Sequence, residues 1–252
     1  MAEPRRLLIE YARICNFIND DLSLKLNLSE QHYLFNVLRL RTNDKIHIID
    51  GEGKLWEAKL FGNKLIKFTT DVNNPWQNES KSKRSLCLAI AIPKIGFDDV
   101  VRMTCEIGID IIQPLICDRS VLTHVSINKQ NRWESILKES IEQSERLWKP
   151  EILTPLNFKN WSNNISPLNT FAIATTRIDS SLEIELWLKN LSSDSKKVWT
   201  LIGPEGGWSE DELEYAKSKR FYFVKMGDAI LRTSTAAIAA SQIMASWRKL
   251  ST

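Results

Sequence analysis

Apolar and polar positions change rhythm along the chain. From Leu7 to Asp71 the apolar residues come in short runs with partial alternation, at Leu7 to Ile14, Lys45 to Asp50, Leu55 to Phe61 and Leu65 to Asp71. Such runs predict β-strands, and Gly51-Glu52-Gly53 and Gly62-Asn63 separate three of them as hairpin turns. Between the first two runs, Tyr33, Leu34, Val37 and Leu38 recur at helical spacing behind Ser29, a candidate N-cap. Four strands and one helix predict a small barrel.

From Asn73 to Ser85 the periodicity stops: Asn73-Asn74-Pro75 leads into Lys81-Ser82-Lys83-Arg84. A domain boundary there separates residues 1–74 from 85–252. Beyond it strands and helices alternate, as in a parallel sheet with crossover helices. Leu86 to Ile92, Ile109 to Ile116 and Phe171 to Thr175 read as strands. Phe97, Val100, Val101 and Cys105 line a helix ending at Gly108; Trp133, Ile136, Leu137, Ile141 and Leu147 mark a longer one, and Leu182 to Leu191 a third. Val198 to Trp247 then runs strand, turn and helix twice. Its first strand is Val198 to Ile202, with the turn Gly203-Pro204-Glu205-Gly206-Gly207; its second is Phe221 to Met226, with the turn Gly227 to Arg232. The last helix carries Ala236, Ala240, Ile243, Met244 and Trp247 on one side, suited to core packing or to a dimer interface. From Phe171 onward every strand ends in a turn at one edge, the C-terminal edge where open α/β sheets bind ligands.

Composition adds bounds to this picture. A chain of 252 residues holds two modest domains, each with its own core. Hydrophobic residues are 43% and charged ones 26%, and no apolar run approaches the ~20 residues that cross a bilayer, so a soluble protein is expected. The N-terminus has charges without the apolar stretch of a signal peptide. Cys15, Cys87, Cys105 and Cys117 lack Cys-x-x-Cys spacing and read as buried thiols of a reducing cytoplasm. The net charge of +3 permits an anionic partner. His32, His47 and His124 are far apart, which disfavours zinc, and no metal is expected.

The turn at 203–207 is the sharpest chemical signal. Without Cβ atoms, Gly203, Gly206 and Gly207 let a ligand approach the backbone, Pro204 stiffens the loop, and Glu205 offers a carboxylate to ribose hydroxyls. The same glycines also serve a tight strand-to-helix connection with no ligand. Ser209 and Glu212 form a capping box for the following helix. Neither turn contains a lysine, and Gly-x-Gly-x-x-Gly and Gly-Lys-Ser/Thr are absent, so a nucleoside-like ligand fits better than a triphosphate. Ile230 and Leu231 are apolar residues in a turn, to be covered by a flat ligand or a partner subunit. Arg232 opens a helix, whose N-terminus is itself positive; an anionic or oxygen-rich substrate accounts for it, as does plain solvation. Arg39 and Arg41 follow a helix end, a favourable charge placement and also a phosphate contact.

Together, Leu201-Ile202-Gly203-Pro204-Glu205-Gly206-Gly207-Trp208-Ser209, Met226-Gly227 and Ile230-Leu231-Arg232-Thr233 resemble the signature of the RsmE family of 16S ribosomal RNA uridine-N3 methyltransferases, of the SPOUT class. The likeness extends through Pro4-Arg5-Arg6, His32-Tyr33-Leu34, Val37-Leu38-Arg39-Leu40, Glu106-Ile107-Gly108, Pro114-Leu115, Arg119-Ser120 and Glu142-Gln143-Ser144 with Arg146. It implies a PUA-like N-terminal β-barrel that docks RNA, with Arg5, Arg6, Arg39 and Arg41 as RNA contacts, followed by a SPOUT α/β domain with a C-terminal trefoil knot. S-adenosylmethionine would sit in the knot against Thr175, against Leu201, Ile202, Gly203, Pro204, Glu205, Gly206 and Gly207, and against Met226, Gly227, Ile230 and Leu231. Arg232 would be catalytic, stabilising charge that spreads onto uridine O2 and O4. The implied partners are 16S rRNA in the small ribosomal subunit and a second copy of the chain, in the cytoplasm.

Three positions depart from the family pattern: Ser234 where it has Glu, Ala229 where a basic residue is common, and Met103 in place of a lysine. Each removes a charge, so the family roles of those positions do not carry over. Asp228 and Glu205 remain as candidate proton acceptors. The departures leave open an RNA-binding or ribosome-assembly protein that has lost catalysis, or a SPOUT methyltransferase acting at another RNA position.

Overall fold

The computed structural model describes residues 4–251 except 20, 164, 165, 167, 177, 179 and 193. Contacts divide the chain into two compact units, Met1–Lys81 with Ile141–Lys149, and Ser82–Ser140 with Pro150–Thr252. The division at residues 81 and 82 lies inside the polar stretch, whereas the return of 141–149 to the first unit has no mark in the apolar pattern.

The first unit contains β1 (Arg5–Leu8), α1 (Tyr11–Phe17), β2 (Ser23–Lys25), α2 (Leu28–Gln31) leading into a π-helical turn (His32–Val37), β3 (Lys45–Ile49), β4 (Lys54–Phe61), β5 (Leu65–Phe68) and β6 (Gln77–Asn78). They form one sheet in the order β1-β3-β4-β5-β2, with β6 added to β4. Its core gathers Leu7, Ile14, Leu34, Ile46, Trp56 and Phe68.

Three local expectations are corrected here. The run Leu7 to Ile14 is not one strand: β1 stops at Leu8, and Ile14 reaches the same core from α1. Asn27, not Ser29, caps the next helix, its side chain accepting from Glu30 N at 2.8 Å while Asn27 N donates to Glu30 Oε2 at 2.9 Å. Glu30 is also paired with Arg13 of α1, so the cap doubles as a tie between the two helices. Val37 was expected on the apolar face, but Leu38 N donates to Tyr33 O, five residues back, at 2.9 Å. This wider turn swings Val37 out to 58% exposure while Leu34 stays buried.

The hairpin turn at Gly51 to Gly53 forms as expected, with Asp50 Oδ1 accepting from Glu52 N and Lys54 N at 2.7 and 2.9 Å. Gly53, at φ +102°, is crowded: a Cβ there would stand 2.3 Å from Glu79 O and 2.9 Å from the Trp148 ring.

The second unit contains β7 (Ser85–Ala91), α3 (Phe97–Ile107), β8 (Ile111–Ile116), α4 (Ile127–Ser144, of which the residues from Ile141 on belong to the first unit), β9 (Glu151–Ile152), β10 (Leu156–Asn157), α5 (Phe158–Asn163), β11 (Asn169–Ala174), β12 (Leu182–Glu183), α6 (Ile184–Lys189), β13 (Lys197–Ile202), α7 (Glu210–Ser218), β14 (Tyr222–Lys225) and α8 (Thr233–Leu250). The sheet order is β10-β8-β7-β13-β11-β14-β12, with β9 on β8, and every pairing is parallel. Strands covered on both faces read as unbroken apolar runs, and Leu86 to Ala91 are all fully buried. The stretch Leu182 to Leu191, expected to be all helix, begins as the edge strand β12 beside β14.

The last helix, α8, packs on α3, α6, β7 and β13. Its Ala236, Ala237 and Ala240 are buried within this unit, so close internal packing accounts for the small side chains. Near its end, Arg248 Nη2 donates to Gly108 O at 2.9 Å and Nη1 pairs with Asp110, which also accepts from Leu86 N at 2.8 Å.

Candidate active site

In the sheet, β11 lies between β13 and β14, strands that follow it in the chain. Register places Ile173 beside Leu201 and Ala174 beside Val224, so the three strands end together and release their turns at one edge. These turns bring together the sequence-predicted cofactor residues. Leu201 and Ile202 are buried in the end of β13. Thr175 is buried past the end of β11, donating its N-H to Val224 O at 2.9 Å, with its hydroxyl 2.8 Å from that of Ser181.

The glycines divide into two kinds. At Gly203 a Cβ would stand 2.8 Å from the Trp208 indole, and at Gly206 it would stand 3.2 Å from Arg119 Cβ. The close approaches that these two permit are therefore made by side chains of the fold. Gly207, at φ +73°, and Gly227, at φ +86°, have no atom of the described residues within 4 Å of the Cβ position. They hold left-handed turns that glycine adopts freely and leave the main chain open.

The rest of the 203–207 turn is fixed both from within and from outside. Pro204 O accepts from Gly207 N at 2.8 Å, closing the turn. Glu205 Oε1 accepts from Lys94 N at 3.3 Å, orienting its carboxylate, and Gly203 O accepts from the Thr233 hydroxyl at 3.0 Å. The capping box forms as expected, with Glu212 N donating to Ser209 Oγ at 3.1 Å and Ser209 N donating to Glu212 Oε2 at 2.9 Å. In the second turn Met226 and Leu231 are half-buried, and Ile230 is 68% exposed. Arg232 is the N-cap residue of α8, its side chain exposed and its carbonyl accepting from Ala236 N at 2.8 Å. Ser234 stands in the first turn of α8.

A flat heterocycle on a ribose fits these residues. Two open glycine turns would allow contact with main-chain groups, the exposed Ile230 offers an apolar surface beside them, and Glu205 carries a carboxylate. The residues that shape the turns are Ser181, Lys94, Arg119, Trp208 and Thr233. Arg119, Trp208 and Thr233 stand in the family signature without an assigned role, whereas Ser181 and Lys94 carry no local signal in the sequence.

In the first unit, the four arginines expected to contact RNA differ. Arg5, Arg39 and Arg41 are exposed. Arg39 holds φ +55°, and Arg41 lines an open groove of about 610 Å³ with His32, Phe35, Asn36 and Asn63. The Arg6 side chain is only 9% exposed and donates to Glu145 O at 2.5 Å and Glu145 Oε2 at 3.2 Å, a commitment to the fold.

Comparison with known proteins gives a consistent result. Residues 80–245 match the model of an RNA methyltransferase domain, and residues 26–70 that of an RNA methyltransferase PUA domain. Ribosomal RNA small subunit methyltransferase E of Synechocystis is 35% identical over 228 residues, covering 89% of this chain and 74% of that protein. Ribosomal RNA small subunit methyltransferase E 2 of Borreliella burgdorferi is 34% identical over 218 residues, 82% of this chain and 84% of its own. The same fold occurs in the crystal structure of the Neisseria gonorrhoeae methyltransferase E bound to S-adenosyl methionine, with a TM-score of 0.80 at 24% identity over 97% of this chain and 98% of the other. With the PUA match in the first unit, and with the RNA methyltransferase match enclosing both glycine turns, the chain belongs to the ribosomal RNA small subunit methyltransferase E family.

Proposed function

We propose that this protein methylates N3 of a uridine in small-subunit ribosomal RNA, with S-adenosylmethionine as donor. The observation that carries the reading is the pair of open left-handed glycines, Gly207 and Gly227, on turns flanking the end of β11, with Arg232 at the close of the second turn. The cofactor supplies a methyl already activated on a sulfonium. The chain's own residues bind and orient: Leu201 to Gly207 and Met226 to Leu231 present main-chain groups and an apolar cover, and Thr175 fixes the turn after β11. Positioning of donor and acceptor in line supplies much of the rate. As uridine N3 gives its proton to a base, for which Asp228 and Glu205 are the candidates, charge spreads onto O2 and O4, and the exposed Arg232 guanidinium is placed to stabilise it until N3 takes the methyl. The path by which α8 returns from β14 past the end of β11 to Gly203 supports a trefoil knot. We also propose a cytoplasmic homodimer, whose second copy would cover exposed apolar residues such as Ile230.

Two measurements test this. Calorimetric titration should show S-adenosylmethionine binding, and mass spectrometry of rRNA from cells lacking the protein should show a loss of 3-methyluridine. Binding without any change in rRNA methylation would transfer the protein to ribosome assembly. Loss of a different methylated nucleoside would move the target.

A further inference from the structure

We infer that the loop after β8, carrying Asp118, Arg119 and Ser120, positions the methyl-donor turn: it grips residues 203–209 on both sides of Gly207. The inference rests on the cofactor reading given above. None of these three residues lies in the two glycine turns, yet each contributes to a latch made of fixed hydrogen bonds. Before Gly207, Arg119 Nη1 donates to Gly206 O at 3.2 Å, and the missing Cβ of Gly206 leaves room for Arg119 itself. After Gly207, Ser209 Oγ donates to Asp118 Oδ2 at 2.6 Å. Asp118 N donates to Glu212 Oε1 at 3.0 Å, while the other oxygen of that carboxylate serves Ser209 N. Glu212 is 1% exposed, so this carboxylate is a buried bridge between the two loops, and its charge strengthens each bond it accepts. The latching loop is itself pinned, with Cys117 N donating to Ser120 Oγ at 3.0 Å.

The consequence follows from where the latch acts. Gly207 is left open while its neighbours are held, so its main chain faces a ligand from a turn that is already ordered. A turn left loose would have to be ordered at the moment of binding, and that cost falls on affinity. Asp118 and Arg119 are exposed side chains, outside the apolar core that holds the domain together. They are positioning residues, acting through Gly206 and Ser209. Their loss should weaken cofactor binding and leave the chemical step intact.

The test uses the full-length protein with S-adenosylmethionine as the titrant and small-subunit rRNA as substrate. Asp118→Ala and Arg119→Ala should each raise the Kd for S-adenosylmethionine about tenfold, equivalent to about 1.4 kcal/mol. At saturating cofactor, kcat should stay within about twofold of wild type. The melting temperature measured without cofactor should be unchanged. Asp118→Asn keeps an acceptor for the Ser209 hydroxyl and should restore wild-type affinity. Wild-type Kd in both alanine variants would overturn the inference, as would a fall in kcat at unchanged Kd, or an Asp118→Asn variant as weak as Asp118→Ala. Failure of the wild-type protein to bind S-adenosylmethionine would instead overturn the reading on which the inference rests.

Discussion

The indole of Trp208 fills the space that a side chain on Gly203 would need, and its Nε1 donates to the Ala174 carbonyl at 3.0 Å. One ring thus joins the ends of β11 and β13. In Gly203→Ala the new methyl would meet Nε1 and Cε2 at 2.8 Å, with the rest of the ring already packed against Phe158. The ring must shift and its bond to Ala174 must break. We expect a loss of about 1–3 kcal/mol in urea unfolding, the usual cost of overpacking. A fall in cofactor affinity should accompany it. Unchanged stability would mean that the ring moves aside freely.

Replacing Arg232 separates binding from chemistry. Its side chain is exposed at the start of α8 and makes no hydrogen bond or ion pair with another described residue, so Arg232→Ala should fold normally. Loss of a group that stabilises developing negative charge should lower kcat by about 10²-fold or more. Calorimetry should find the cofactor Kd unchanged. Full turnover in the variant would remove Arg232 from the mechanism.

In the first unit, Gly53→Ala meets two obstacles at once. Its φ of +102° strains any residue with a Cβ, and the added atom would stand 2.3 Å from the Glu79 carbonyl. The turn and β6 cannot both keep their places, because Glu79 N donates to Gly53 O at 2.8 Å and Gly53 N donates to Leu147 O at 3.0 Å. A destabilisation of at least about 2 kcal/mol is expected, read as a lower urea midpoint. Gly62→Ala offers a control: that glycine has a positive φ but no described atom within 4 Å of its Cβ position.

Burial pushes the thiols of Cys87 and Cys117 well above the ordinary range, with Asp110 adding to the effect at Cys87 and Glu212 at Cys117. In the unfolded chain both would ionise near about pH 8.5. The folded state therefore holds more protons above that pH, and stability must fall as pH rises. Each thiol contributes a slope of about 1.4 kcal/mol per pH unit there. Urea unfolding between pH 8 and 10 should show this decline, and Cys87→Ala should make it shallower. A flat profile would place both thiols in contact with water.

Local chemistry made parts of this structure legible in advance. The Leu86 to Ile92 run marks a doubly covered strand because no polar side chain interrupts it. Ser209 and Glu212 announce a helix start because both partners of the capping box lie within four residues. What escaped depends on distant partners or on brevity. Asn27 wins over Ser29 because it completes the box with Glu30, which is held by Arg13. The strands β9 and β10 are two residues each, too short to show alternation. Arg6 reads as a surface cation until Glu145, 139 residues away, is seen beside it. The 203–207 turn stands out in the sequence as a candidate site, but nothing local shows that Gly203 makes room for Trp208 while Gly207 stays open.

The bond from the Thr233 hydroxyl to the Gly203 carbonyl spans thirty residues. The ribosome therefore makes the first half of the site well before the part that closes it. A nascent chain halted after β13 carries the glycine turn but neither β14 nor the helix that pins the turn in place. On the function proposed above, the methyl-donor turn would gain its anchor to Thr233 only once α8 has been made.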